Sequence, residues 1–361
     1  LARTMLYAER WQDAKDAADS VFKLQVYSLT DKYEDAFKGG NSESILEYNY
    51  LVTGPNHTFD NDYVPYGDMD NDGGKGCPTQ EMVESYQSKD GKTVDWSKWH
   101  GETTELPPYD QLEPRFAATV LYHGAQWKGH TMTNSVGGTY GQYMDYRSDT
   151  YPKGRTTTGY YLRKFQQESW NKSGNFSINA PAIWRLPEFI YIYAEACNEL
   201  GEDIDEAYKL VNTVRERSFM KPMPPEVKTN RQLMREYIQR ERRVELFYEG
   251  KRPWTCRLYL EPTSKEELAK ESLWKSSGSD NSKRTQKYWA ANNGALPRCQ
   301  RMINGMRPVQ DENGAITVDG VKYRMERFCV EERTFSIQHY LFPIRQSELQ
   351  KTPTIEQNPG W

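Results

Sequence analysis

The order of apolar and polar positions divides the chain into two helical stretches and two long polar ones. At the start, Leu1, Met5 and Ala8 form one short stripe, and Ala14, Ala17, Ala18, Val21 and Phe22 form a second, with a break near Arg10 and Trp11. Recurrence every three or four residues marks an amphipathic helix, so two helices joined by a tight turn are predicted here. Small residues at Ala14 and Ala18 leave room for close approach of a neighbour. A related pair returns at 183–217. Ile183, Leu186, Phe189, Ile190, Tyr193, Ala194, Cys197 and Leu200 hold helical spacing, and Gly201 supplies a stop. Asp203 or Asp205 can start the next helix, which carries Ala207, Leu210, Val211 and Val214. A third helix is predicted over about 230–249, with Leu233, Tyr237, Val244 and Tyr248 on one side.

The two pairs share an alanine near the end of the first helix, a short turn, and an early alanine in the second. Such units resemble tetratricopeptide repeats, which stack because neither helix buries its apolar face alone. The predicted fold is therefore mainly α: a tetratricopeptide-like scaffold with long irregular loops and a few short strands. Along the chain this gives a helical-repeat portion at 1–37, a loop-rich excursion at 38–180, the main helical scaffold at 181–260, and a loop-rich part at 261–361. Within the last, 262–320 reads as polar loop and GAITVDGVKYRMERFC as a short hairpin. The chain opens inside a helical pattern, which suggests a missing beginning.

With 361 residues, 37% hydrophobic and 27% charged, the composition is that of a globular protein with a large core. Net charge is −4, from 47 Lys and Arg against 51 Asp and Glu, and no basic run exists to hold a phosphate backbone. Nucleic acid is thereby disfavoured as a partner. No stretch approaches the roughly 20 apolar residues needed to cross a bilayer as a helix. Five cysteines are scattered without CxxC spacing, which leaves at most an unassigned bridge. The 25 tyrosines and 10 tryptophans are an excess that must either fill cores or lie open as flat surfaces.

Few motifs point to chemistry. There is no HExxH, GxSxG or Gly-rich phosphate loop, and the five histidines stand apart from one another. Asp68, Asp70 and Asp72 alternate before Gly73 like the first half of a calcium loop, but the twelfth position is Thr79 rather than an acid. A solvated acidic turn competes with a calcium site there. Glu241 and Glu245, one helical turn apart, read as members of a structural ion-pair network with nearby arginines rather than as a catalytic pair. The aromatic loops are the better lead. A tryptophan or tyrosine covers the apolar face of a sugar ring while polar side chains answer its hydroxyls. Trp96 and Trp99 lie in a polar loop and are the first candidates for ligand contact, against the alternative of anchoring that loop. Tyr66, Trp274 and Trp289 follow, with Tyr63, Trp170 and Tyr288 weaker.

Several separated stretches resemble the SusD/RagB family of outer-membrane nutrient-binding lipoproteins of Bacteroidetes. CPTQEMVESY at 77–86 resembles the family's proline-led helix start, and LEPRFAATVLYHGAQWKG at 112–129 its "DPR" region, with Glu113 in place of Asp. GYYLRKF at 159–165, RLPEFIYIYAEACNELG at 185–201, RERRVELFYEGKRPWTCRLY at 240–259 and YLFPIRQSELQKTPTIEQNPGW at 340–361 follow in the family's order. Pro187 stands where the family usually has Ala. The resemblance implies a non-catalytic glycan binder, lipid-anchored at the cell outer membrane through a cysteine upstream of this chain, and paired with a SusC-like TonB-dependent transporter. It implies no cofactor. A peptide or glycopeptide binder, a repeat-based adaptor and a glycoside hydrolase are the competing functions.

Overall fold

The computed structural model describes residues 1–69, 73–100, 103–143, 155–171, 177–259, 302–332 and 342–358. In chain order the helices are α1 (Ala2–Tyr7), α2 (Trp11–Lys23), α3 (Phe59–Tyr63), α4 (Gln80–Val83), α5 (Pro114–Thr119), α6 (Leu186–Leu200), α7 (Ile204–Arg217), α8 (Arg231–Glu245), α9 (Arg252–Tyr259) and α10 (Gln346–Lys351). The strands are β1 (Ser44–Leu46), β2 (Val120–Leu121), β3 (Gln126–Trp127), β4 (His130–Thr131), β5 (Tyr161–Leu162), β6 (Trp184–Arg185), β7 (Met302–Gln310), β8 (Ile316–Val318) and β9 (Val321–Glu332).

Helix α6 is the centre of the scaffold, buried along most of its length and packed by α2, α7 and α8. Ala14 and Ala18 are fully buried in the same core, as their small size requires at a close crossing, and Phe22 of α2 meets Tyr193 edge-on at 5.6 Å. Pro187 sits in the first turn of α6, where its missing N–H breaks no helical hydrogen bond. The helix therefore begins at Leu186, and Ile183 lies outside it, exposed before β6. Gly201 closes α6 with φ 74°, and its N–H donates to the Cys197 carbonyl at 2.8 Å. Asp203 precedes α7 but its carboxylate pairs with Lys15 at 2.6 Å instead of capping the helix, which ties the second helix pair back to α2. Asn230 does cap α8, accepting the Leu233 N–H at 3.0 Å. That helix ends at Glu245, short of the expected 249, and Tyr248 beyond it has φ 62°.

At the C-terminal side of the fold, β7, β9 and β8 form an antiparallel sheet in that order. The expected hairpin is present, turning at Asp319 and Gly320, both with positive φ. However, β9 runs twelve residues and pairs chiefly with β7, whose residues the polar composition assigned to loop. Buried Met306, Met325 and Phe328 alternate with charged neighbours such as Arg307 and Glu326, which meet across the strands at 3.1 Å. A two-residue period hidden by charges on the outer face explains the missed strand.

Where α5, α7 and α8 meet β6, the core is ionic. Arg115, Lys164, Arg185, Arg215 and Arg217 interlock with Glu43, Glu113, Glu241, Glu245 and Glu249, so the cluster is neutral, and every side chain in it is nearly or fully buried. Glu245 alone answers Arg185 at 2.8 Å, Arg115 at 3.2 Å and Arg217. Burial by itself would raise its pKa, but Arg217, Arg185 and Arg115 together hold the carboxyl well below the usual range. Burial lowers the Lys164 ammonium to about 8, against the opposing charge of Glu249 at 2.7 Å. The structural reading of Glu241 and Glu245 is thus the one the geometry shows.

Candidate functional site

Residues 88–100 and 103–111 form a tight turn and then two short 3₁₀ turns, Ser97–His100 and Tyr109–Gln111, on the flank of the scaffold. Ser88 donates its N–H to the Lys92 carbonyl at 2.8 Å, and Lys89 donates to the Gln111 carbonyl at 3.0 Å, so both ends of the loop are fastened. Gly91 turns it with φ 78°, and a Cβ there would lie 2.9 Å from the Arg215 guanidinium. Farther on, Asp95 accepts the Ser97 N–H at 2.9 Å and starts the turn Ser97–His100. That backbone hydrogen bond lowers the Asp95 pKa.

Trp96 precedes this turn and Trp99 lies within it, and neither is the open platform expected of it. They are 6% and 5% exposed and pack edge-on against each other, with ring centroids 5.6 Å apart. Tyr109, Phe116, Met306 and Met325 belong to the same buried cluster. Three residues apart on a 3₁₀ turn, the two indoles project from the same side and dive together. Their polar neighbours Ser97 and Lys98 face out and disguise an anchor as a surface loop. The W-x-x-W spacing was the signal that could have revealed it. These tryptophans hold the loop, and the residues around them build the cavity.

That cavity is an open groove of about 630 Å³, with Trp99 in its wall. Lys89, Lys92 and Lys98 line it together with Asp90, Asp95 and Glu105, three positive charges against three negative. Lys98 clasps both oxygens of Glu105 at 2.8 and 2.7 Å, and Asp90 pairs with Lys221 at 3.2 Å. Ser88, Thr93 and Gln111 add neutral hydrogen-bonding groups, and exposed Leu106 an apolar one. None of these residues carries a sequence signal of function, because each is an ordinary surface side chain until the fold gathers them.

The remaining candidates are dispersed. Tyr66 is half-buried with the Arg155 guanidinium 5.1 Å from its ring centroid. Trp170 is buried under Lys128, and Tyr63 packs against Phe59 and Tyr248. Trp274, Tyr288 and Trp289 lie outside the described residues, as do Asp70 and Asp72. Asp68 is already engaged: Trp127 donates its indole N–H to one oxygen at 2.7 Å, and Lys128 reaches the other at 3.2 Å. Those two donors hold the Asp68 carboxylate against Trp127 and Lys128. Among the described residues no group of three or more His, Cys, Asp or Glu is placed to hold a metal ion, and the four described cysteines are free thiols.

A second feature, which the hydrophobic pattern did not reveal, is the β1–β6 edge. Leu46 pairs with Trp184 across it, and Tyr48 and Trp184 are 57% and 40% exposed. Tyr48 and Tyr50 lie with centroids 4.8 Å apart, and Leu51, Val52 and Ile183 are exposed as well. Bare aromatic surface occurs here, as it does among the described residues at Phe219, Trp254 and Phe342.

Comparison with known proteins follows the architecture. A SusD-like protein from Bacteroides fragilis superposes with a TM-score of 0.68 at 22% identity, over 100% of this chain and 64% of that one. A SusD-like carbohydrate binding protein from the same species gives 0.70 at 21% identity, over 98% and 63%. Surface glycan-binding protein A from Bacteroides thetaiotaomicron gives 0.54 at 19% identity, over 99% and 62%. Likeness at this identity shows the fold, and the chain spans less than two thirds of the length of these structures. No curated protein matches it in sequence. The SusD family profile matches residues 42–361, nearly the whole chain. The chain belongs to the SusD family.

Proposed function

We propose that the protein captures a neutral oligosaccharide or polysaccharide in the 88–111 groove at the cell surface and passes it on unchanged to a SusC-like TonB-dependent transporter. The groove carries this reading. Its volume of about 630 Å³ falls within the range of small-ligand sites and has room for a few sugar rings. Its balanced charges favour no ionic ligand, while its hydroxyl, amide and charged groups suit the hydroxyls of a carbohydrate. Relatives described as carbohydrate binding or surface glycan-binding share the fold.

Binding without turnover fits the groove's carboxylates. Glycoside hydrolysis needs one carboxyl kept protonated opposite another that is ionised. Here the Ser97 N–H lowers the Asp95 pKa, the opposite of what a general acid needs. Anchoring at the outer membrane through lipid, and partnership with the transporter, are inferred from the family.

The test is retention on gels containing soluble starch, arabinoxylan, galactomannan, pectin or mucin glycans, with reducing ends assayed in parallel. Wild type should be retarded by at least one neutral polysaccharide and release no reducing sugar. Thr93 is exposed on the groove wall, and Thr93→Trp should abolish retention while leaving the melting temperature unchanged. Retention by pectin or mucin alone, or full retention of the Trp variant, would remove the groove as the site. Binding to no glycan at all would favour a protein-contact role for the exposed β1–β6 edge instead.

A further inference from the structure

Helix α7 ends in a conformation that does not suit its residue. Met220 donates its N–H to the Arg215 carbonyl at 3.0 Å and Phe219 donates to Glu216 at 2.9 Å, the paired bonds of a Schellman motif. The position after the cap in this motif is left-handed and favours glycine, because a Cβ there crowds the following carbonyl. Phe219 occupies it with φ 59°. Burial does not compensate, since Phe219 is 78% exposed and the neighbouring Met220 supplies the apolar contact inside the fold. A bulky aromatic is thus kept in an unfavourable backbone conformation and in water, with nothing in the described chain offsetting either cost.

Its location suggests what does. Two residues on, Lys221 forms the ion pair with Asp90 of the groove, and its carbonyl accepts from Arg215 Nε at 2.9 Å, beside Gly91. Two residues span at most about 7 Å, so the Phe219 backbone stands next to the groove rim. We propose that Phe219 is an aromatic specificity residue for the glycan in that groove, stacking on a sugar ring that extends past the Asp90 end. The proposal rests on the groove being the glycan site, and it assigns to an exposed aromatic beside the rim the stacking role that buried Trp96 and Trp99 do not fill.

The test sets stability against affinity, using maltoheptaose, xylohexaose, cellohexaose and mannohexaose as probes in titration calorimetry. Phe219→Gly should raise the melting temperature by about 1–3 °C, because it relieves the left-handed strain. The same substitution should weaken the best-bound probe roughly three- to tenfold, the contribution of one aromatic contact. Phe219→Tyr should restore affinity without the thermal gain. A lower melting temperature for the Gly variant would mean the ring packs against its own chain and would overturn the proposal. So would an unchanged affinity in a variant of a protein that Thr93→Trp does inactivate; in that case the groove stands and Phe219 falls. If Thr93→Trp also leaves affinity intact, the groove reading falls and takes the Phe219 proposal with it.

Discussion

The ionic cluster around Glu245 and the groove at 88–111 contain the same kinds of side chain under opposite conditions. In the cluster, five cations and five carboxylates are locked in contact away from water. In the groove, three of each lie at the surface, where solvent screens them and they can exchange partners. Paired opposite charges therefore act as frame in one place and as an adaptable lining in the other. Burial sets the roles apart, together with the cluster's four forked arginines against the groove's three lysines.

The sharpest way to break this contrast is Glu245→Ala. It leaves Arg115, Arg185 and Arg217 buried beside an empty position, and should cost about 3–5 kcal/mol or prevent folding, as read by denaturant titration. A loss below about 1 kcal/mol would mean water reaches the cluster.

A second buried carboxylate titrates in the opposite sense to Glu245. Burial raises Glu195 to about 7, and its contact with Arg242 at 2.9 Å only partly counters this. Between about pH 4.5 and 7 the folded state thus keeps a proton that the unfolded chain has released, and stability from this group falls as pH rises. Relative to Glu195→Gln, wild type should lose about 2–3 kcal/mol across that window. Parallel stability curves for the two proteins would refute the shift. For Glu245, whose carboxyl is held low, the contribution is present above the ordinary glutamate range and is lost on further acidification.

The smallest effect belongs to the groove. Lys98 and Glu105 are both more than half exposed, so a double-alanine cycle should give a coupling of about 0–1 kcal/mol that vanishes in high salt. A larger coupling would mark that pair as part of the frame.

Legibility in the sequence follows the same division. Helices α2, α6 and α8 are visible because apolar spacing and Gly201 act locally, and Glu241 with Glu245 declare an ion-pair network by standing beside an apolar stripe next to arginines. The partners at 43, 115, 164 and 185 were not legible, since their meeting depends on the tertiary fold alone. Trp96 and Trp99 resemble surface aromatics because their immediate neighbours are polar, although their three-residue spacing places both on one side of the turn. Phe219 gave no warning, because the left-handed turn that makes it anomalous is invisible until the backbone is known.

The cluster also joins segments that are remote along the chain, from residue 43 to residue 249. Each segment contributes charge that the others neutralise, so losing any one of them strands its partners and the frame should succeed or fail as a unit. Exposed loops between these anchor points contribute no charge to the cluster, so a change in their length leaves the frame's pairing intact.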